Sequence, residues 1–160
     1  MNLFLSYTRS KDDFNAVSEF TTHLENEIKG REPASTVFQD KSIGTGQAWP
    51  DVLREKLAAA DVLLVLVSPA YLLSEWCRKE FQQFVHKEKS ADRHPRILPV
   101  LWIETPSLAN PHDDEIAKSL SEIQRDDWHI LRHKNWDSEE IRQRIDALAS
   151  KAIELAARVK

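Results

Sequence analysis

Short apolar runs alternate along this chain with longer stretches in which apolar residues recur every three or four positions. Val62 to Val67 (VLLVLV) is apolar at every position, the pattern of a central parallel strand covered on both faces. Asn2 to Tyr7 (NLFLSY) is short, apolar and aromatic and predicts a buried first strand. Ser35 to Gln39 (STVFQ) reads as the second strand, Arg96 to Ile103 (RILPVLWI) as the fourth and Trp128 to Leu131 as a short last one. Pro99 brings no N–H to a ladder, so it argues for an edge or a bulge in the fourth strand.

The intervening segments carry helical periods. Phe14, Val17, Phe20, Leu24 and Ile28 form one amphipathic stripe, with Ser10 and Asp13 as an acidic capping box and Gly30 as the C-terminal cap. Pro50 suits the first turn of a second helix and Asp51 its positive end, with Val52, Leu53, Leu57 and Ala60 facing inward. After Ser68-Pro69 and a short connection, Ser74 opens a helix with Cys77, Phe81, Phe84, Val85 and Glu88 on one side. At about 100° per residue Glu80 falls roughly 40° from Phe84 and 60° from Cys77, which puts its carboxylate on the border of the buried stripe, with Trp76 one turn earlier. Glu104 to Glu115 is a polar loop, and Ile116 to Ser121 predicts a short helix. Asp137 and Glu140 make a capping-box pattern for a closing helix whose inward residues are Ile141, Ile145, Leu148, Ala152 and Leu155.

Strands alternating with helices imply βαβ units and a parallel sheet. The expected fold class is α/β: a flavodoxin-like three-layer sandwich, its central parallel sheet of about five strands in the order 2-1-3-4-5 and flanked by helices. In such a sheet the ligand crevice lies outside the carboxyl ends of the strands, where strands one and three diverge. Ser6 to Arg9, Asp40 to Trp49 and Ser68 to Glu80 each follow a strand's carboxyl end and converge on that rim. The segment Lys41 to Trp49 (KSIGTGQAW) holds two of the chain's three glycines, so its backbone can bend sharply near a ligand or partner.

Composition narrows the picture. The chain has 160 residues, the size of one domain, and its 41% hydrophobic and 30% charged content fits a folded globular protein. A formal net charge of −4 without like-charge blocks argues against nucleic acid as a partner. Cys77 is the single cysteine, which rules out an intrachain disulfide and a cysteine-based zinc site, and it reads as an apolar filler. No apolar run approaches the roughly 18 residues of a membrane span. A strand-like pattern begins at Asn2 where a signal peptide would stand, so the expected compartment is the cytoplasm. His129 and His133 fall on strand and loop, where their spacing does not make a metal site.

Three segments in this order and spacing resemble a Toll/interleukin-1 receptor (TIR) domain, over nearly the whole chain. FLSYTR (Phe4 to Arg9) resembles the family's first box. VFQDKSIGTGQAW (Val37 to Trp49) is similar to its second strand and BB loop in a form common in bacterial members. ADVLLVLVSPAYLLSEWCRKE (Ala60 to Glu80) is similar to its third strand and the start of the following helix. Many animal members are adaptors that assemble with other TIR domains, whereas many bacterial and plant members cleave NAD+ at the nicotinamide–ribose bond. The catalytic glutamate of those enzymes lies in a W-x-x-x-E pattern, here Trp76-Cys77-Arg78-Lys79-Glu80, so the resemblance nominates Glu80.

The resemblance implies an NAD+ hydrolase of the bacterial type, releasing nicotinamide with ADP-ribose or a cyclic ADP-ribose isomer, and acting as an effector in bacterial immune defence. NAD+ is then the substrate, and no cofactor or metal is expected. Trp76 would stack on a flat ring or wall the pocket; Phe4, Ser6, Tyr7 and Arg9 would border the dinucleotide, with Arg9 placed to meet phosphate. Ser68 would contact the nicotinamide side, and Asp40, Ile43, Gly44 and Trp49 would contribute from the loop. Family precedent also implies homo-oligomers or filaments through the BB loop. It further implies that residues 1–160 are one TIR domain of a longer protein carrying or recruiting a sensor domain. The alternative is a non-catalytic TIR–TIR signalling module; a third is another nucleotide-binding flavodoxin-like domain.

Overall fold

The computed structural model describes residues 1–8, 14–39 and 50–158. Five strands form one sheet in the order β2-β1-β3-β4-β5, all neighbours parallel: β1 (Asn2–Ser6), β2 (Thr36–Gln39), β3 (Val62–Val67), β4 (Ile97–Leu101) and β5 (Asp126–Asp127). This is the expected flavodoxin-like order. β1 lies between β2 and β3, with Phe4 opposite Phe38 on one side and Leu63 on the other.

Alternation along each strand divides the core into two layers. Leu3, Leu5, Val62, Leu64 and Leu66 face one layer, closed by α1 (Phe14–Arg31) and α6 (Glu139–Ala156). Phe4, Leu63, Val65 and Val67 face the other, closed by α2 (Asp51–Ala59), α3 (Pro69–Leu73), α4 (Glu75–Ser90) and α5 (Glu115–Glu122). Every residue of β3 is buried, as its unbroken apolar run requires, and each such side chain contributes about 1.5–3 kcal/mol. On α1, Val17, Phe20, Leu24 and Ile28 are buried at the expected spacing.

Several local expectations are corrected. Pro99 lies in neither an edge strand nor a bulge: it pairs in register with Val65 in a strand flanked on both sides. The Leu63 N–H donates to the Arg96 carbonyl and the Trp102 N–H to the Val67 carbonyl, so alternate residues 96 to 102 turn their polar groups to β3. The nitrogen of Pro99 therefore faces the opposite side, where β5 pairs only with Val100 and Leu101. The last strand is Asp126–Asp127, not Trp128 to Leu131. Trp128 donates its N–H to the Leu101 carbonyl at 2.8 Å, and its buried indole then packs edge-on to Phe20 and stacked on Trp136, which turns the chain out of the sheet.

Gly30 sits within α1, which runs on to Arg31. Val52 is exposed, because the nine-residue α2 buries only the narrow Leu53 and Leu57 stripe. The cap of α6 is Ser138, whose Oγ accepts from the Ile141 N–H; the Asp137 N–H is instead held by Asn135 Oδ1. The proposed capping pair Ser10 and Asp13 and the side chain of Phe14 lie outside the described residues. Among the described residues, no helix is long and apolar enough to cross a membrane.

Candidate functional site

The site is built where β1 and β3 end. Alternation sends Ser6, the last residue of β1, toward the α4 layer, and its side chain is fully buried. Past β3, Ser68 stops the strand: its Oγ accepts the Tyr71 N–H at 3.0 Å, and Pro69 occupies the first turn of α3. Ser74 then ends α3, its N–H bonded to the Tyr71 carbonyl, and caps α4 by accepting the Cys77 N–H at 3.2 Å. These two serine caps fix the helical phase that delivers Tyr71 and Glu80 to the same interior.

Glu80 is only 2% exposed. The border position expected from helical phase is corrected to full burial, because α3 and the end of β1 close over that face of α4. The Ser6 hydroxyl lies 2.8 Å from Glu80 Oε1 and donates to it, and the buried Tyr71 hydroxyl lies 2.8 Å from Ser6 Oγ. An ionised carboxylate only accepts, so Ser6 spends its single proton on Glu80 and receives that of Tyr71. Among the described residues a further acceptor, the Cys77 carbonyl, is farther from the Tyr71 hydroxyl at 3.5 Å. Burial, and next the neighbouring Cys77, raise the Tyr71 hydroxyl well above its ordinary value, against the lowering effect of the Ser6 hydrogen bond. Tyr71 therefore stays a neutral donor.

Charge at the start of α4 is organised by Arg78. Its Nη1 donates to the Leu72 carbonyl at 2.9 Å and to Asp114 Oδ2 at 3.0 Å. Asp114 is the N-cap of α5, where its Oδ1 accepts the Ile116 and Ala117 N–H groups. Burial pushes the Asp114 carboxyl up, but the Arg78 hydrogen bond, the Ala117 N–H and the Arg78 charge together hold it below its ordinary value. One guanidinium thus ties α3, α4 and α5 together.

The remaining candidate residues separate by strand phase. Tyr7 follows Ser6 and so belongs to the α1 and α6 layer, where its hydroxyl accepts from Gln39 Nε2 at 3.0 Å. Phe4 is fully buried against Phe38, with ring centroids 5.2 Å apart. Ser68 is buried in its capping role, while Trp76 is half-buried beside the Phe81 and Cys77 cluster. Thr8 Oγ1 approaches Cys77 Sγ at 3.6 Å, which brings the segment after β1 against α4. Arg9, Asp40, Ile43, Gly44 and Trp49 lie outside the described residues. Tyr71 was not anticipated from sequence, although Ser68-Pro69 is a helix-start signal that orients the residue three positions past the cap. A separate cleft of about 480 Å3, lined by Leu101, residues 121–125 and Asp127, opens beside β4 and β5 and includes none of the Glu80 network. His129 is bonded through Nδ1 to Asp127.

A buried carboxylate held by a hydroxyl at the carboxyl rim of a parallel sheet is suited to stabilising positive charge on a bound ligand. A model of the TIR domain family matches residues 3–145. The disease resistance-like protein CSA1 of Arabidopsis thaliana is 25% identical over 116 residues, which are 68% of this chain but only 9% of that protein's length. Among solved structures, the TIR domains in the activated Roq1 resistosome, a resistosome that directly recognizes the pathogen effector XopQ, are 18% identical. That similarity covers 93% of this chain and 83% of that one, with a TM-score of 0.47. An oxidoreductase from Corynebacterium diphtheriae, 12% identical, covers 99% of this chain and 97% of its own, with a TM-score of 0.51, and shares the fold. The matched span runs from β1 into α6 and takes in every strand of the sheet together with Ser6, Tyr71 and Glu80, so this chain belongs to the TIR domain family.

Proposed function

We propose that this TIR domain hydrolyses NAD+ at the nicotinamide–ribose bond, with Glu80 as the catalytic carboxylate. The observation that carries the reading is the burial of Glu80, at 2% exposure, with Ser6 of the neighbouring strand end donating to it. A carboxylate is costly to bury, and a helix-surface glutamate with no task would remain in water. Nicotinamide leaves as a neutral molecule, so cleavage needs no general acid. Positive charge instead develops on the ribose in an oxocarbenium-like state. Glu80 stabilises that charge, and water supplies the hydroxyl at C1 and releases one proton, giving nicotinamide and ADP-ribose. Attack on C1 from within the ADP-ribosyl group would give the cyclic isomer instead.

Activity arises on self-assembly, with the Ile43–Trp49 loop of one copy meeting another, and depletion of NAD+ serves defence signalling. Membership of the TIR family and the similarity to a plant disease resistance-like protein support a place in signalling or defence. The test is NAD+ turnover by wild type and Glu80→Ala with the chains clustered on a surface. Loss of turnover only in the variant is expected. Equal turnover by both would remove Glu80 from the mechanism, and no turnover from clustered wild type would favour an interaction-only module.

A further inference from the structure

We propose that Tyr71 is a positioning residue for the reaction, acting on Glu80 through Ser6. This rests on the NAD+-cleaving reading of the same site. Two hydroxyls and a carboxylate from three separate elements meet beside the second core layer: Tyr71 of α3, Ser6 of β1 and Glu80 of α4. All three side chains are at most 2% exposed, and both links measure 2.8 Å.

The direction of the chain follows from proton counting. Glu80 accepts, so Ser6 donates to it; Ser6 then has lone pairs to offer, and Tyr71 fills one. Each bond polarises the next, so the Tyr71 hydroxyl strengthens the grip of Ser6 on the carboxylate. The geometry also places the donor to Glu80 on a rigid base. Ser6 is fixed by its pairing opposite Val65, and Tyr71 by the Ser68 cap and by the packing of its ring. Filling space would need only phenylalanine at this position. The hydroxyl adds a donor to Ser6 Oγ, which in turn holds the carboxylate.

Three variants of the clustered chain test this: Tyr71→Phe, Ser6→Ala and the double variant. Tyr71→Phe keeps the ring and removes only the donor. Its kcat is expected to fall about tenfold, the effect of weakening a hydrogen bond to a charged group, with KM within about twofold. The double variant is expected to be no slower than the slower single one, because both substitutions cut one chain. Far-ultraviolet circular dichroism should match wild type throughout.

Wild-type kcat in Tyr71→Phe, or losses in the two single variants that multiply in the double one, would overturn the proposal. If Tyr71→Phe does not fold, 3,5-difluorotyrosine at position 71, which keeps the ring and the donor but alters its strength, decides: an unchanged kcat overturns the proposal, and a changed kcat at unchanged KM supports it. If clustered wild type does not turn over NAD+, the hydrolase reading fails and this role falls with it. If wild type is active, Glu80→Ala is dead and Tyr71→Phe equals wild type, only the positioning role is lost.

Discussion

Ser6 Oγ and Glu80 Oε1 are 2.8 Å apart although 74 residues separate them in the chain. The contact joins the end of the second-layer face of β1 to the second turn of α4, so the carboxylate depends on sheet register as well as on its own helix. A one-residue slip of β1 would turn Ser6 into the α1 layer and offer Tyr7 in its place.

Replacing Glu80 by Gln isolates charge from shape. The amide oxygen can still accept from Ser6, so the fold should hold within about 1 kcal/mol in urea titration. The charge that would oppose an oxocarbenium-like state is gone, and kcat for NAD+ should fall about 100-fold or more. A Gln variant as active as wild type would show that the carboxylate serves the fold alone.

Much of this architecture was legible in the residue pattern, and the gaps have physical causes. The all-apolar Val62–Val67 run and the Ser74 cap were enough to place β3, α4 and the face of Glu80. Helical phase alone could not show how deep Glu80 lies, because its burial comes from Ser6 and Tyr71 on other elements. Tyr71 stands in a five-residue helix, too short to display a period. The last strand was displaced because Trp128 resembles a strand residue by type, while its indole packs on Phe20 and its Nε1 donates to Asp126. Pro99 misled for a similar reason: a missing N–H matters only on the side where a neighbour needs it, and β5 is too short to reach it.

Ser74 caps the helix that carries Glu80, and its effect should be recoverable. Ser74→Ala removes the acceptor of the Cys77 N–H and should cost about 1 kcal/mol of unfolding free energy. Ser74→Asp keeps an acceptor at the positive end of α4 and should regain most of that loss. Equal destabilisation by both variants would mean that the cap is not what holds the helix start.

Asp114 has two roles that two substitutions separate. Asp114→Ala removes both the α5 cap and the fork to Arg78, and should cost about 1–2 kcal/mol. Asp114→Asn preserves a good cap and loses only the ionic part, which is partly exposed on both sides and so weak, and should cost under about 1 kcal/mol. Chemical denaturation of the two variants in one buffer compares them directly, and an Asn variant as unstable as Ala would assign the stabilisation to the ion pair.

The acid limb of stability should trace to the far end of α4. Glu88 is fully buried, with Arg96 Nε at 2.7 Å from Oε1 and Arg93 Nε at 3.1 Å from Oε2. Arg96 also donates to the Ala156 carbonyl, so the cluster joins α4 and the start of β4 to the end of α6. Burial pushes the Glu88 carboxyl up, yet the Arg96 hydrogen bond and the charges of Arg96, Lys87 and Arg93 outweigh it and hold it below its ordinary value of 4.5. A carboxyl whose folded value is depressed binds fewer protons when folded than when unfolded. Its stabilisation is therefore fully present above pH 4.5 and is lost as pH falls through the lower folded value. Melting temperature measured from pH 7 downward should decline in that range, and Glu88→Gln should flatten the decline while lowering the plateau. Arg96→Met leaves a buried carboxylate short of its main partner and should cost about 3–5 kcal/mol at neutral pH. Pairing it with Glu88→Met should recover part of that loss, because two apolar side chains leave no buried charge to compensate. A double variant worse than Arg96→Met alone would show that the cluster holds α6 in place through the Ala156 contact more than through charge.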